Sequence, residues 1–448
     1  MLRLMTCAVL STLCLPVFAQ SAPQATSSSA LKQAIAQNYT QQLKPLFEHF
    51  HKNPELSFME VNTSTRLAKE LRALGYEVTE GVGKTGVVAL LKNGPGPTVM
   101  LRADMDGLPL EENSGLAYAS KVRQKDREGN ESYVMHACGH DVHMTSLVGT
   151  AVQMMAQRKN WSGTLMLIGQ PAEERVGGAD AMMKDNVWQR FGKPDYALAF
   201  HVDASSEAGK ISVDEGAPYS GVDTMEIIVH GIGAHGAYPH QGKDPVVLAA
   251  QIVLALQTIV TRDIAPREPA VITVGSFHAG SKSNIISDQA KLQLTLRSEN
   301  PETRKKLIDG VRRVALHTAR AAGIPDNLLP DVREVDTPTP PTVNDVEFAQ
   351  RLKKVWQQQL GNSAFAQVRM RDGMGAEDFA FFTADPYIPS VYFSIGGTPK
   401  EAFENEKKGG PAVPSHHSPF FKITPEPSVK AGVEASVIAL LDIMKKRS

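Results

Sequence analysis

The 448 residues, 42% of them hydrophobic, are too many for one ordinary domain and apolar enough to build substantial cores, so two domains are expected. With 47 basic and 48 acidic residues, the formal net charge is −1. That balance excludes the basic footprint of a nucleic-acid binder and a polybasic membrane patch.

The N-terminus reads as a targeting leader rather than part of the fold. Arg3 supplies a positive start, an apolar run extends from Leu4 to Phe18, and Val17-Phe18-Ala19 fits the small-residue rule for cleavage after Ala19. Cys14 follows Leu13 rather than the small residue a lipoprotein signal requires, so soluble export to the periplasm or beyond is expected, with a retained N-terminal anchor as the alternative. No later segment offers about 18 unbroken apolar residues, so no membrane association is expected once the leader is gone. Cys7 and Cys14 fall within the leader and leave Cys138 as the one remaining cysteine. An intrachain disulfide is then impossible, and a lone thiol in an oxidising compartment needs a use or protection.

Past a Ser/Ala-rich stretch, helical patterns run from Leu31 to His51 and from Glu60 to Leu74, the second stopped by Gly75. Short apolar runs follow at Thr85–Leu91, Thr98–Leu101, Thr164–Ile168 and Tyr196–Phe200, with helical stretches between them. They lack period-two alternation, as expected of strands buried on both faces of an α/β sheet. From Asp214 the pattern changes to strand Thr224–Gly231, helix Asp244–Arg262, strands Val271–His278 and Ala290–Ser298, and helix Pro301–Ala322, closed by a strand near Asp331–Val335. This is a compact open-faced sandwich inserted into a larger domain, with the proline-rich Thr337–Thr342 as the return linker. A helix at Asp345–Leu360, a strand at Ser390–Ile395 and a helix from Ser428 to Met444 complete the chain. The expected division is a leader at 1–19, a catalytic domain in two pieces at 20–213 and 337–448, and the insert at 214–336.

Polar groups follow three of the predicted strands: Asp104 and Asp106 after the second, Glu173 and Glu174 after the third, and His201 after the fourth. In open α/β sheets ligands bind beyond the carboxyl ends of the strands, so separate segments would deliver carboxylates and imidazole to one rim. The densest cluster, His136-Ala137-Cys138-Gly139-His140-Asp141-Val142-His143, packs three His, one Cys and one Asp into eight residues. Thiolate, imidazole and carboxylate together suit zinc or a neighbouring transition metal. Of two adjacent glutamates, one can bind metal while the other holds a water, the division of labour that metal-assisted hydrolysis requires.

The strings RADMDGLPL, MHACGHDVHMT, GQPAEE, AFHV, GAHGAYPHQGKDP and HSPFF resemble the dinuclear-metal aminoacylase and carboxypeptidase superfamily, in particular its hippurate hydrolase and auxin–amino-acid conjugate hydrolase branch. The resemblance spans nearly all of the chain from Leu46 to the final helix. It implies an α/β, zinc-peptidase-like catalytic domain with a mixed sheet flanked by helices, and an inserted ferredoxin-like α+β lid that dimerises. By the same resemblance two divalent metal ions (Zn, Mn, Co or Ni) are bound, with Cys138 bridging, His140 and His201 completing one site, and Glu174 and His417 the other. His417 is taken over His416 because it directly precedes Ser-Pro. Glu173 matches the general base and Asp106 an acid that orients a ligand. Asp104 stands where distant relatives carry a ligand histidine and is not counted as one. His235 matches a lid histidine that reaches a neighbouring subunit's site in a homodimer or higher homo-oligomer, while Asn284 and Arg297 match a pair that holds the substrate carboxylate. Glu377 and Asp378 either line the pocket or serve the structure, and His49, His51, His230, His278 and His317 are read as ordinary histidines.

The expected activity is hydrolysis of N-acyl amino acids, with a dipeptidase or carboxypeptidase of the same superfamily as the alternative. A metal-independent amidase with Cys138 as nucleophile would leave Glu173, Glu174 and His201 idle. A third reading is a binding protein that kept the fold and lost turnover.

Overall fold

A computed structural model describes residues 28–367 and 373–446; the leader lies outside them. The larger domain is built on a seven-stranded sheet in the spatial order Glu77–Val82, Gly86–Lys92, Thr164–Gln170, Thr98–Asp104, Tyr196–Glu207, Ser390–Thr398 and Ile211–Ser212. The middle four strands run parallel, and both margins are antiparallel. The sheet is therefore mixed, as expected.

Alternate residues of each central strand feed separate cores, which explains the absence of alternation in the sequence. Leu165 and Leu167, Val99 and Leu101, and Leu198 and Phe200 face a large core under helices Val61–Ala73, His140–Ala156, Val346–Leu360 and Pro425–Ile443. Met166, Ile168, Met100, Ala197 and Ala199 face a smaller core with Trp188, Phe379 and Phe382. Fully burying a Leu side chain stabilises by roughly 1.5–3 kcal/mol, so a sheet covered on both sides is a stiff platform for whatever its ends carry.

Several expectations shift. The first helix is interrupted by a π-helical turn at Tyr39–Leu43, just before the helix Lys44–Lys52, whose Pro45 lacks the N–H that an unbroken ladder needs. The strand at Thr98 runs on to Asp104, and the strand at Tyr196 runs on to Glu207, so His201 lies within it rather than after it. Pairing with Ser390–Thr398 carries that strand onward past Phe200.

The insert has four antiparallel strands in the order Ala270–Ala279, Gln289–Ser298, Gly221–His230, Asp331–Glu334, with helices Pro245–Thr258 and Pro301–Ala321 packed against them. That βαββαβ order is ferredoxin-like. Both helices are started by side-chain caps, Asp244 accepting from the Val246 and Val247 amides and Asn300 from the Thr303 amide, each followed by proline. The stretch Pro245–Asp263 is long and apolar enough to cross a membrane by length and composition. Leu248, Ile252, Leu256 and Ile259 nevertheless belong to the core of the insert, while Val247 and Leu254 are exposed. The two chain crossings between the domains are joined, since Gly216–Tyr219 pairs antiparallel with Thr342–Asn344.

Candidate active site

The parallel strands present Asp104 and Gln170 at their carboxyl ends, and the segments beyond them fold back onto Asp106. Pro171-Ala172-Glu173-Glu174 is a tight turn with Ala172 in the left-handed region at φ 49°. Carboxylates hold it by its amides: the Ala172 N–H donates to Glu60 at 2.8 Å, the Glu173 N–H to Asp106 Oδ1 at 3.0 Å and the Glu174 N–H to Asp106 Oδ2 at 3.1 Å. Ser57 donates to the same Asp106 oxygen at 2.7 Å. The Asp106 main-chain carbonyl meanwhile accepts from His140 Nδ1 at 2.8 Å, while its carboxylate Oδ1 lies 3.4 Å away. Asp106 thus orients His140 mainly by its carbonyl and uses its carboxylate to hold the glutamate turn.

With Nδ1 donating to the Asp106 carbonyl, His140 Nε2 is the ring nitrogen turned toward the site. It is buried and has no hydrogen-bond partner, and Glu174 Oε1 is in the same condition. The Glu173 and Glu174 carboxylates each come within 3.8 Å of this nitrogen. His201 likewise donates from Nδ1 to the Val202 carbonyl at 2.7 Å, leaving Nε2 to face Cys138 Sγ at 3.4 Å. Cys138, Glu174 and His417 converge as one potential ligand set, with their donor atoms within 4.8 Å of one another. His140, Glu173 and Glu174 form a second such set. His140 and His201 meet in a third, shared with Asp104 and His143 rather than with Cys138. The structure therefore brings all five sequence-predicted ligands together, although Cys138, His140 and His201 do not form one closed triple.

Tautomers decide which neighbours can compete for a metal. The Ala204 N–H donates to His416 Nε2 at 3.1 Å, which commits that lone pair and turns the Nδ1 proton toward Cys138 at 3.8 Å. His417, with φ 61° and Nε2 3.3 Å from Glu174 Oε2, is free to ligate. His143 is engaged on both nitrogens, to Asp104 Oδ1 at 2.5 Å and to the Val202 amide at 2.8 Å. Asp104 gives its other oxygen to Arg102 at 2.6 Å. Both are thereby removed from the ligand set. His136 sits in the same loop with neither nitrogen partnered, and burial lowers it to about 4, so it is a neutral interior side chain.

The electrostatics favour a bound cation. Burial lowers the proton affinity of His140, yet Asp104 and Asp106 outweigh it and lift the imidazole to about 10. Burial, then Glu377 and Glu174, hold the Glu173 carboxyl well above the usual carboxylate range. Burial, then Glu174 and Glu173, push the Cys138 thiol up as well. A pocket that concentrates negative charge around donor atoms without protein partners fits divalent ions, which would displace the protons those atoms hold, and a thiol held in its protonated form by that charge is a poor nucleophile without one.

Arg102 is the feature that sequence reading missed. Wholly buried, it donates to Asp104, to Gln170 at 2.7 Å and to Glu377 at 2.7 Å, and lies 3.4 Å from Asp378. An arginine inside an apolar strand was the available signal, because buried charges must be paired. Glu377 and Asp378 come within 4.8 Å of Glu173 but spend their oxygens on Arg102, Tyr392, Gln170 and backbone amides. His51, read as ordinary, is clamped between Asp141 at 2.6 Å and Glu112 at 3.0 Å.

The insert supplies its residues unevenly. Arg297 lines the same cleft of about 950 Å³ as Cys138, Glu173, Glu174, His201 and His417. His235 and Asn284 do not line it. They lie together on an exposed two-stranded ribbon, where His235 pairs with Ile285 and the Gly236 amide donates to the Asn284 carbonyl at 2.8 Å. Asn284 and Arg297 are therefore not brought together within one chain.

Residues 100–411 match the model of peptidase family M20/M25/M40. The chain belongs to that family. It is 37% identical over 400 residues to thermostable carboxypeptidase 2 of Saccharolobus solfataricus, covering 88% of this chain and 94% of that protein. It is 38% identical over 336 residues to hippurate hydrolase of Campylobacter jejuni, covering 74% and 82% respectively. Among solved structures, a dinuclear metal-binding M20 peptidase of Bacillus subtilis superposes with a TM-score of 0.74 at 27% identity, covering 92% of this chain and 99% of that one. This M20 protein is a metal-dependent hydrolase acting on amides.

Proposed function

We propose that this M20 hydrolase cleaves the amide bond of N-acyl amino acids, with Glu173 as general base. The carrying observation is the convergence of Cys138, His140, Glu174, His201 and His417, with the His140 Nε2 and Glu174 Oε1 atoms lacking protein partners, beside the buried Glu173 carboxyl. Cys138, His140, Glu174, His201 and His417 would together hold two divalent ions (Zn, Mn, Co or Ni). When bound, the ions supply Lewis acidity toward the amide carbonyl and lower the pKa of the attacking water. Glu173 takes the proton of that water and delivers it to the leaving amine, while Asp106 keeps the glutamate turn and His140 in register. Arg297 offers a planar fork to the free carboxylate of the amino acid. His235 and Asn284, remote from their own cleft, would serve the site of a partner subunit in a homodimer, His235 donating to the oxygen on which charge develops.

The carboxypeptidase name of one relative supports a peptide-cleaving alternative on the same machinery. Export by the N-terminal leader belongs to the same proposal and rests on the sequence alone. Assaying metal-loaded protein against N-acetyl, N-benzoyl and indoleacetyl amino acids together with dipeptides tests the substrate class. Turnover of dipeptides alone would replace the acyl-amino-acid reading, and activity that withstands complete chelation would remove the metal mechanism.

A further inference from the structure

The chain just past the two glutamates carries a strain that packing does not explain. Among the described residues other than glycine, six have positive φ: Phe58, Lys84, Ala172, Val176, Asn186 and His417. Val176, at φ 52° and ψ 41°, is the β-branched one of the six. A side chain branched at Cβ is a poor occupant of the left-handed region, where glycine or asparagine sits at little cost. The turn itself demands that backbone. Val176 closes the single turn Glu173–Arg175, its N–H donating to the Glu173 carbonyl at 2.6 Å. The chain then comes back on Pro171, so close that a Cβ on Gly178 would lie 1.5 Å from the Pro171 carbonyl oxygen. The conformation is required here, but a valine is not.

No core accounts for the valine either. Val176 is part-buried and belongs to none of the three apolar cores, neither among their buried members nor among the residues packed against them. It borders the cleft together with Glu173 and Glu174. Its nearness to Glu173 follows from the chain, since a bond from the carbonyl of one residue to the amide three residues on holds the two Cα atoms less than about 7 Å apart. Branching at Cβ also restricts χ1, so the isopropyl group does not swing aside.

We infer that Val176 is a size-selecting residue, a fixed wall beside Glu173 that limits the bulk of the group flanking the scissile amide. The inference rests on the N-acyl amino acid reading for its probes. The test compares metal-loaded wild type, Val176→Gly and Val176→Asn on N-acetyl-L-alanine, N-benzoyl-L-alanine and N-acetyl-L-phenylalanine. The readouts are the kcat/KM of each bulky compound relative to N-acetyl-L-alanine and, separately, the urea midpoint of each protein. Val176→Gly should raise at least one of the two ratios by about tenfold, the scale on which a pocket reads added methylenes. The ratio that rises names the end of the substrate that meets the wall. Val176→Asn accepts the left-handed region and keeps a branched side chain, so it should retain most of the discrimination and hold or raise the urea midpoint. Ratios unchanged in Val176→Gly overturn the inference. Equal shifts in both variants would trace the effect to the backbone and overturn it as well, and a lowered midpoint in Val176→Asn would give the valine a structural task and do the same. If none of the three compounds is hydrolysed while dipeptides are, the acyl reading falls on its own. The same ratios measured on alanylalanine, phenylalanylalanine and alanylphenylalanine then uphold or overturn the wall by the same criteria.

Discussion

The two adjacent glutamates stand in different environments, so their substitutions should separate. Glu173→Gln should retain bound metal and lose turnover by about 10²–10⁴-fold, the worth of a general base. Glu174→Gln should instead weaken one metal site, because Glu174 and His417 face each other across 3.3 Å. Metal analysis alongside kcat distinguishes the two, and near-normal activity of Glu173→Gln would remove the assigned base. His51 makes a separate prediction about stability. Burial alone would lower its pKa, but hydrogen bonds donated to Asp141 and Glu112 raise it from 6.5 to about 9. A raised folded-state value stabilises fully below the unfolded value and is lost as pH climbs through the folded one, so about 3 kcal/mol should disappear between roughly pH 6.5 and pH 9. His51→Leu strands two buried carboxylates and should cost about 3–5 kcal/mol at neutral pH. Denaturant titrations at pH 6 and pH 10 should show that deficit shrinking at the higher pH.

Elements place the ligands, and their junctions are the sensitive points. Gly139 precedes helix His140–Ala156 with φ 89°, and a Cβ there would lie 2.2 Å from Val202 Cγ1. Gly139→Ala should therefore move Cys138 and His140 apart and lower metal affinity while leaving the sheet and its helices folded. Unchanged affinity by competition with a chelating dye would show that the loop adapts. The strands and the ligand loop could be read from sequence because each signal is local: apolar runs between turn residues, and one run dense in His and Cys. The Arg102 cluster was not legible, since it joins residues as distant as Gln170, Glu377 and Tyr392 that only the folded sheet brings together. The exit of His201 from its strand was misplaced for a similar reason, as the strand's length is set by its partner Ser390–Thr398 and not by its own residues. The choice between His416 and His417 rested on the following Ser-Pro, and the tautomers now supply a physical reason for it.

At the scale of the whole molecule, the insert exposes an apolar face on helix Pro245–Thr258, with Leu254 73% and Val247 54% accessible. Its strand Ala270–Ala279 is a sheet edge. Together with a His235–Asn284 ribbon remote from its own cleft, this is the arrangement a symmetric dimer would use. His235→Ala and Glu173→Ala proteins should each be nearly inactive, yet mixed subunits should recover about a quarter of wild-type activity. Half of randomly mixed dimers are hybrids, and each hybrid has one site with both groups intact. Verified subunit exchange without recovery would mean that His235 does not act in the partner's site. Leu254→Glu should lower both the dimer fraction in sedimentation and the activity.

Cys138 is the lone thiol of residues 20–448, with Cys7 and Cys14 upstream of the expected cleavage point. That makes the protein its own titrant. Buried and held protonated, that thiol should react only slowly with a colorimetric reagent in the folded protein, and denaturation should release it for counting. That count reads the other end of the chain: one equivalent means a processed N-terminus, and three mean that the leader is still attached.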